Sequence, residues 1–264
     1  MKVRKRFGQH FLTDEGVLQN IVSAIGLRAS DSVLEIGPGP GALTDLLVSL
    51  PEIYKAVEID RDFIPLLQAR HPQIQLTNAD ILKVDLGALL PAGSAWRLLG
   101  NLPYNISSPL ISVLTDFVTR CPGRVADMHF MLQREMAQRL SAEPGTKAWG
   151  RLSVMVQLHF DVEFVLDVSP SSFSPPPKVW SSVVRMLPKT TGTLNVDLKI
   201  LDRVLRLAFS GRRKRLSNSL KILELDWSEA NVDPGLRADN VTVEQYLELA
   251  RLTPTSLLSD EVKK

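Results

Sequence analysis

The chain is nearly devoid of cysteine: Cys121 is the only one in 264 residues. That excludes an internal disulfide framework and fits a reducing compartment. Histidine is scarce as well, and His10, His71, His129 and His159 are scattered without the spacing of metal ligands, so no metal site is expected. No uninterrupted apolar run is long enough to span a bilayer. The basic N-terminus lacks a following apolar stretch, so it does not read as a signal peptide. A cytoplasmic chain with no membrane partner is the expectation. A strong excess of one charge is also missing, because 31 Lys and Arg face 29 Asp and Glu, for a net charge of +2.

What the chain does have is apolar content and local charge. With 44% hydrophobic and 23% charged residues it can bury a sizeable core, as one large and one small domain. Lys2, Arg4, Lys5 and Arg6 form a basic arm. Arg212, Arg213, Lys214, Arg215 and Lys221 form a second basic cluster. Either alone reads as a solvated face; the two together suit a phosphate-backbone partner.

The N-terminal half repeats strand, acidic or glycine-rich end, helix. After the arm, Phe7-Gly8-Gln9-His10-Phe11-Leu12 is unusually aromatic for a terminal segment and either pins the arm to the core or folds it over a ligand site. Thr13 or Asp14 can cap a helix carrying Val17, Leu18, Ile21, Val22 and Ile25. A strand at 32–36 runs into Gly37-Pro38-Gly39-Pro40-Gly41 and a helix at 42–50. Glycines there let a ligand approach the backbone at the carboxyl edge of a parallel sheet. The spacing is G-x-G-x-G, unlike the G-x-G-x-x-G of dinucleotide binders. A strand at 55–59 ends in Glu58 and Asp60, about twenty residues past the glycines, where an acid meets a ribose diol. A third strand, 74–77, ends in Asn78-Ala79-Asp80-Ile81, an acid for an adenine amino group beside an apolar residue for its ring. In order, these ends describe one adenosine-shaped cleft.

The apolar strand at 96–99 breaks into Gly100-Asn101-Leu102-Pro103-Tyr104-Asn105. A side-chain amide oxygen and a carbonyl before proline can each accept one N–H of an exocyclic amine and so direct its lone pair. Pro103 fixes its own φ and keeps Leu102 out of the α region. Tyr104 offers a face for an unstacked base. The plain alternative is a strand end and a helix capped by Ser108 with Pro109 at its first position.

Taken together these motifs resemble the bacterial small-subunit rRNA adenine N6,N6-dimethyltransferases, the kasugamycin-sensitivity family. Phe7-Gly8-Gln9-His10-Phe11-Leu12, Glu35-Ile36-Gly37-Pro38-Gly39, Glu58-Ile59-Asp60, Gly100 to Ser107 and Ser174-Pro175-Pro176-Pro177-Lys178-Val179 fit it in order, end to end. The resemblance implies an α/β, Rossmann-like methyltransferase sheet with a small C-terminal helical domain. It implies S-adenosylmethionine as cofactor, held by His10, Leu12, Gly37, Glu58, Asp80 and Asn101. Asn101, Leu102, Pro103 and Tyr104 would form the catalytic loop. Phe173, on the stiff proline turn, would face Tyr104 across a flipped adenine, although such a phenylalanine is most often a packing anchor. Trp149 and Trp180 depart from the tyrosine and aspartate associated with these positions at the RNA rim.

Periodicity leaves 150–160 unsettled, and the resemblance makes it helical; 161–168 and 182–187 read as paired late strands. The polar break at 188–193 divides a methyltransferase domain, 1–190, from a helical RNA-binding domain, 191–264, with helices at 198–209, 210–223 and 237–252. Arg212, Arg213, Lys214, Arg215 and Lys178 would bind RNA, by shape and backbone more than by base edges. The implied substrate is two adjacent adenosines near the 3′ end of 16S rRNA in a pre-30S particle, modified by a monomer, with no DNA partner. An NAD-type oxidoreductase would explain the glycines and Glu58 but leaves Asn101 to Tyr104 without a role. A non-catalytic assembly factor and the large-subunit macrolide-resistance methyltransferases remain alternatives.

Overall fold

The computed structural model describes residues 9–189, 196–211 and 213–254. The basic arm, Phe7, Gly8 and Arg212 lie outside them. The first element is a two-residue strand, β1 (Phe11–Leu12). Asp14 then accepts the Gly16 and Val17 amides at 3.0 and 3.2 Å and caps α1 (Glu15–Ile25), which turns Leu18, Ile21 and Ile25 inward.

Strand β2 (Ser32–Ile36) is buried along its whole length, as a central parallel strand must be when helices cover both faces. It is followed by α2 (Thr44–Leu47), β3 (Ile53–Glu58), α3 (Ile64–Arg70), β4 (Gln75–Asn78) and α4 (Leu86–Leu89). Then come β5 (Trp96–Asn101), α5 (Ser107–Arg120) and β6 (Val125–Gln133). All pairings among β2 to β6 are parallel. The chain leaves the sheet through α6 (Arg134–Leu140) and α7 (Arg151–Gln157). It returns as β7 (Phe160–Val168), β8 (Phe173–Ser174) and β9 (Ser181–Pro188). Strand β9 inserts antiparallel between β6 and β7, so the expected late pair forms, and β8 pairs with β1.

The seven-stranded order is β4-β3-β2-β5-β6-β9-β7. Chain order therefore reverses between β2 and β5, and the loops leaving these two strands diverge around a crevice at their carboxyl ends. Gly100 shows how close the two strands run: a Cβ there would overlap the Ile36 carbonyl oxygen. Two expected features have other bounds. The helix read at 42–50 keeps only Thr44–Leu47, preceded by a left-handed Gly41 (φ 96°). Helix α5 starts at Ser107 with no side-chain cap, and the Ser107 hydroxyl instead donates to the Pro103 carbonyl at 3.2 Å.

The chain divides into two compact units, one of Met1–Ala137 with Phe160–Pro188 and one of Gln138–His159 with Lys189–Lys264. The division read at 190/191 thus lies close to the second crossing, but residues 138–159 move from the first domain into the second. The reason is apolar packing: Trp149, Val154 and Leu158 are buried against Leu201, Val204, Leu205 and Tyr246. Trp149, only 1% exposed, donates its indole N–H to the Val241 carbonyl at 3.1 Å. It is a core residue of the helical unit and not part of an RNA rim. That unit also holds α8 (Leu198–Phe209), α9 (Leu216–Ser219) and α10 (Val243–Arg251). The helix read at 210–223 reduces to α9 and a short 3₁₀ turn at Lys221–Leu223. The one read at 237–252 begins only at Val243, where Thr242 and Gln245 form a reciprocal capping box.

Candidate active site

A cavity of about 280 Å³ opens at the crevice and lies wholly within the sheet unit. The loop after β2 supplies its floor. Gly37 is left-handed (φ 69°), and nothing lies within 4 Å of where its Cβ would be, so backbone faces open space. Gly39 is also left-handed (φ 56°), and its Cβ would meet the Phe11 ring at 3.3 Å. A side chain at either position would be strained.

Glu58, at the end of β3, braces this loop. One carboxylate oxygen accepts the Gly39 amide at 2.9 Å and the other accepts the Asp60 amide at 2.7 Å. Burial raises its pKa above the ordinary range, partly offset by those backbone hydrogen bonds. Asp60 in turn accepts Gln9 Nε2 at 3.0 Å, which ties the segment before β1 to the same edge. Asp80 lines the cavity and caps a short 3₁₀ turn by accepting the Leu82 amide at 3.1 Å. Ile59 and Ile81 line the cavity on either side of these acids.

The β5 end supplies the polar loop. Asn101 Nδ2 donates to the His10 carbonyl at 2.9 Å, which aims the amide and leaves Oδ1 without a partner among the described residues. The Leu102 amide donates to the Met131 carbonyl at 3.1 Å, while the Leu102 carbonyl accepts nothing from the described residues. Two successive residues of the loop thus each keep an acceptor without a partner among the described residues. Tyr104 shares a hydrogen bond with the Ser181 hydroxyl at 2.8 Å. Burial holds its phenol above the ordinary range, so it stays protonated.

His10 joins these pieces. Its Nδ1–H donates to the Pro175 carbonyl at 2.8 Å, and its ring stacks on Tyr104 with centroids 5.8 Å apart and planes inclined by 27°. One face of Tyr104 is therefore already covered. The segment both packs and folds over the cavity, since Phe11 also meets Phe63 edge-on at 5.7 Å.

Of the site residues read from the sequence, His10, Leu12, Gly37, Glu58, Asp80, Asn101, Leu102, Pro103 and Tyr104 all line this one cavity. Phe173 does not. It pairs with Leu12 across the β1–β8 ribbon and is 4% exposed, packed among Leu18, Ile21 and Val168. The pleat sends its ring into the core, so it anchors the proline turn and does not face Tyr104 across a base. Lys178, Arg213, Lys214 and Arg215 are exposed. Glu35 was not singled out from the sequence as a site residue. It lines the cavity with its carboxyl buried, accepting the Thr44 hydroxyl at 2.6 Å and the Tyr54 hydroxyl at 2.8 Å. Its sequence signals are its place in the Glu35-Ile36-Gly37-Pro38-Gly39 motif and an acid within a mostly apolar strand. Among the described residues no group of His, Cys, Asp and Glu is arranged to hold a metal ion. None of their helices is long and apolar enough to cross a membrane.

Known proteins resemble this chain in sequence and fold. A family model described as ribosomal RNA adenine dimethylase matches residues 1–253. A ribosomal RNA small subunit methyltransferase A from Cupriavidus metallidurans is 48% identical over 261 residues, covering 94% of this chain and 92% of the relative. One of the same name from Thiobacillus denitrificans is 48% identical over 249 residues, covering 92% and 94%. Among solved structures, a dimethyladenosine transferase from Plasmodium falciparum aligns with TM-score 0.76 at 28% identity, covering 91% of this chain and 96% of that one. The 23S rRNA methyltransferase ErmE aligns with TM-score 0.69 at 29% identity, covering 92% and 99%.

Proposed function

The chain belongs to the ribosomal RNA adenine dimethylase family, and from that premise we propose that it acts on the small subunit. The proposed substrate is a pair of adjacent adenosines near the 3′ end of 16S rRNA in a pre-30S particle, dimethylated at N6 by a cytoplasmic monomer. The enzyme is S-adenosylmethionine-dependent, as its family is. The observation that carries the reading of the site is the pair of acceptors without a partner among the described residues, Asn101 Oδ1 and the Leu102 carbonyl, at the sheet's switch point. Preference for the small subunit is supported by relatives near half identity that carry that name. The large-subunit ErmE lies at 29%.

The cavity fits the cofactor by its own chemistry: open backbone at Gly37, a braced carboxylate at Glu58, an acid at Asp80 and apolar walls at Ile59 and Ile81. Bound there, S-adenosylmethionine supplies an activated methyl group on a sulfonium. We assign the ribose hydroxyls to Glu58, the adenine amino group to Asp80 and the backbone approach to Gly37, with Leu12 packing beside them. The target N6–H groups go to Asn101 Oδ1 and the Leu102 carbonyl, whose direction Pro103 fixes. These bonds draw the nitrogen lone pair out of conjugation and toward the methyl donor. The base stacks on the face of Tyr104 that His10 leaves open. No side chain need act as base, because the amine is neutral and its extra proton leaves to water after transfer.

Glu58→Ala should weaken cofactor binding by roughly 1.5–3 kcal/mol, the loss of charge-assisted bonds to a diol plus slackening at Gly39. Titration calorimetry with S-adenosylmethionine measures it, and an unchanged dissociation constant removes Glu58 from the ribose site. In the helical domain, neutralising exposed Arg213, Lys214 and Arg215 should leave cofactor affinity intact and weaken particle binding. Each lost phosphate contact flattens the log–log salt slope by about 0.7–0.9; an unmoved slope makes the cluster a solvated face. The substrate itself is tested by methyl transfer from labelled cofactor to undermethylated 30S particles, 50S particles and DNA in parallel. Transfer to 30S alone is expected, and transfer to 50S alone would reassign the subunit.

A further inference from the structure

Outside the cavity, one feature of the sheet unit has no role in the chemistry above. Trp180 precedes β9 and is 46% exposed, with Val179 beside it at 44%. The indole and Val179 together form an apolar surface open to a partner. It is also held in place. The Trp180 carbonyl accepts the Arg134 amide at 2.9 Å, which prolongs the β6–β9 ladder past Gln133 and Ser181. The Arg134 guanidinium sits over the indole, 5.9 Å from the ring centroid. Asp167 fixes that guanidinium at 3.1 Å, and Ser182 donates to Asp167 at 2.5 Å. Exposed Lys178 ends the stiff Pro175-Pro176-Pro177 run two residues earlier.

The patch continues directly from the catalytic loop. Ser181, the next residue after Trp180, is the partner of the Tyr104 hydroxyl. Strand alternation turns Ser181 toward Tyr104 and Trp180 to the other side of the same sheet edge. Ser181 thus separates the Tyr104 ring from the indole by a single residue of the chain, which puts the indole beside the path of RNA that leaves Tyr104. The two cations, Arg134 and Lys178, are at hand for the phosphates. A planar apolar ring flanked by cations is what an unstacked nucleotide recognises, and it is tolerant of base identity.

We infer that Trp180, framed by Arg134 and Lys178, is a stacking platform for the unpaired nucleotide next to the target adenosine. The inference rests on the RNA-methylation reading of the cavity. It is tested by methylation kinetics on undermethylated 30S particles with wild type, Trp180→Ala and Trp180→Phe. Trp180→Ala should raise the KM for particles roughly tenfold or more, the equivalent of one lost base–aromatic stack. Its kcat at saturating particle and its dissociation constant for S-adenosylmethionine should match wild type, and Trp180→Phe should recover most of the KM. Particles with an abasic nucleotide on either side of the target should erase the difference between Trp180→Ala and wild type for one of the two positions. A wild-type KM in Trp180→Ala overturns the platform while leaving the methylation reading intact. A Trp180→Ala defect that persists unchanged on both abasic particles also overturns it and assigns the surface to a ribosomal protein. Wild-type enzyme that methylates no 30S particle at all overturns the methylation reading and the platform with it.

Discussion

Asn101→Ala is expected to methylate on the order of a hundredfold more slowly than wild type while binding cofactor and particle nearly as well. The amide oxygen is aimed by a fixed bond from Nδ2 to the His10 carbonyl, so the orienting free energy is spent in folding and not during reaction. Its partner N6–H becomes more acidic as the nitrogen attacks and positive charge develops. The interaction therefore strengthens in the transition state and its loss appears in kcat. Loss of a single pre-organised contact of this kind costs roughly 10²–10³ in rate. Single-turnover methylation with saturating enzyme is the measurement, and a wild-type rate would return the loop to a strand-to-helix turn. Tyr104→Ala should differ, because it removes a stacking face worth roughly 1–3 kcal/mol per base and so acts on capture of the adenine. It also releases His10 from its stack, so part of its effect should reach Asn101 through the His10 carbonyl.

The second large effect is on stability, and it is hidden in the wild-type protein by two buried groups that titrate in opposite senses. Burial raises the Glu35 carboxyl from 4.5 to about 7 against the hydrogen bonds from Thr44 and Tyr54. Between those values the folded chain holds a proton that the unfolded chain has lost, so stability falls as pH rises through the window. Burial lowers His129 from 6.5 to about 4, outweighing the nearby Asp127 carboxylate. Both its ring nitrogens lack a hydrogen bond among the described residues. Here the unfolded chain holds the extra proton, so stability rises with pH between about 4 and 6.5. Each group contributes about 3 kcal/mol across its window, and the slopes cancel where the windows overlap. Glu35→Gln keeps an acceptor for the two hydroxyls and removes the titration. Its stability relative to wild type should therefore grow by about 3 kcal/mol from pH 4.5 to 7. His129→Leu should shift the opposite way as pH rises. Urea unfolding at several pH values reads both, and a pH-independent difference for Glu35→Gln would sink the account.

Much of the sheet unit was legible because its signals are local. Residues 33–36 are an apolar run broken only by Glu35, and with Ser32 they form β2 within the expected bounds. The strand ends at Gly37, Glu58, Asp80 and Asn101 carry their chemistry on the residues themselves, and a parallel sheet gathers carboxyl ends on one edge. Order along the chain thus implied order in space. Phe173 was legible only as an aromatic on a stiff turn. Its direction depends on β8 pairing with β1, a partner about 160 residues away in sequence, and one step of register decides between core and cavity. The same holds for residues 138–159, whose periodicity leaves 150–160 unsettled and does not name the core the segment joins.

By itself, then, the sequence determined the alternating elements, the cofactor-shaped set of strand ends and the amide-proline-tyrosine loop, because propensity, turn chemistry and side-chain type act over a few residues. Only the tertiary structure decided that the Asn101 amide is aimed by the His10 backbone, that His10 covers one face of Tyr104, and that Phe173 and Trp149 are core. It alone decided that Glu35 is buried far enough to hold its proton near neutrality. Each of these depends on which distant segments pack together, and on the desolvation that packing imposes, neither of which a residue carries in its own neighbourhood.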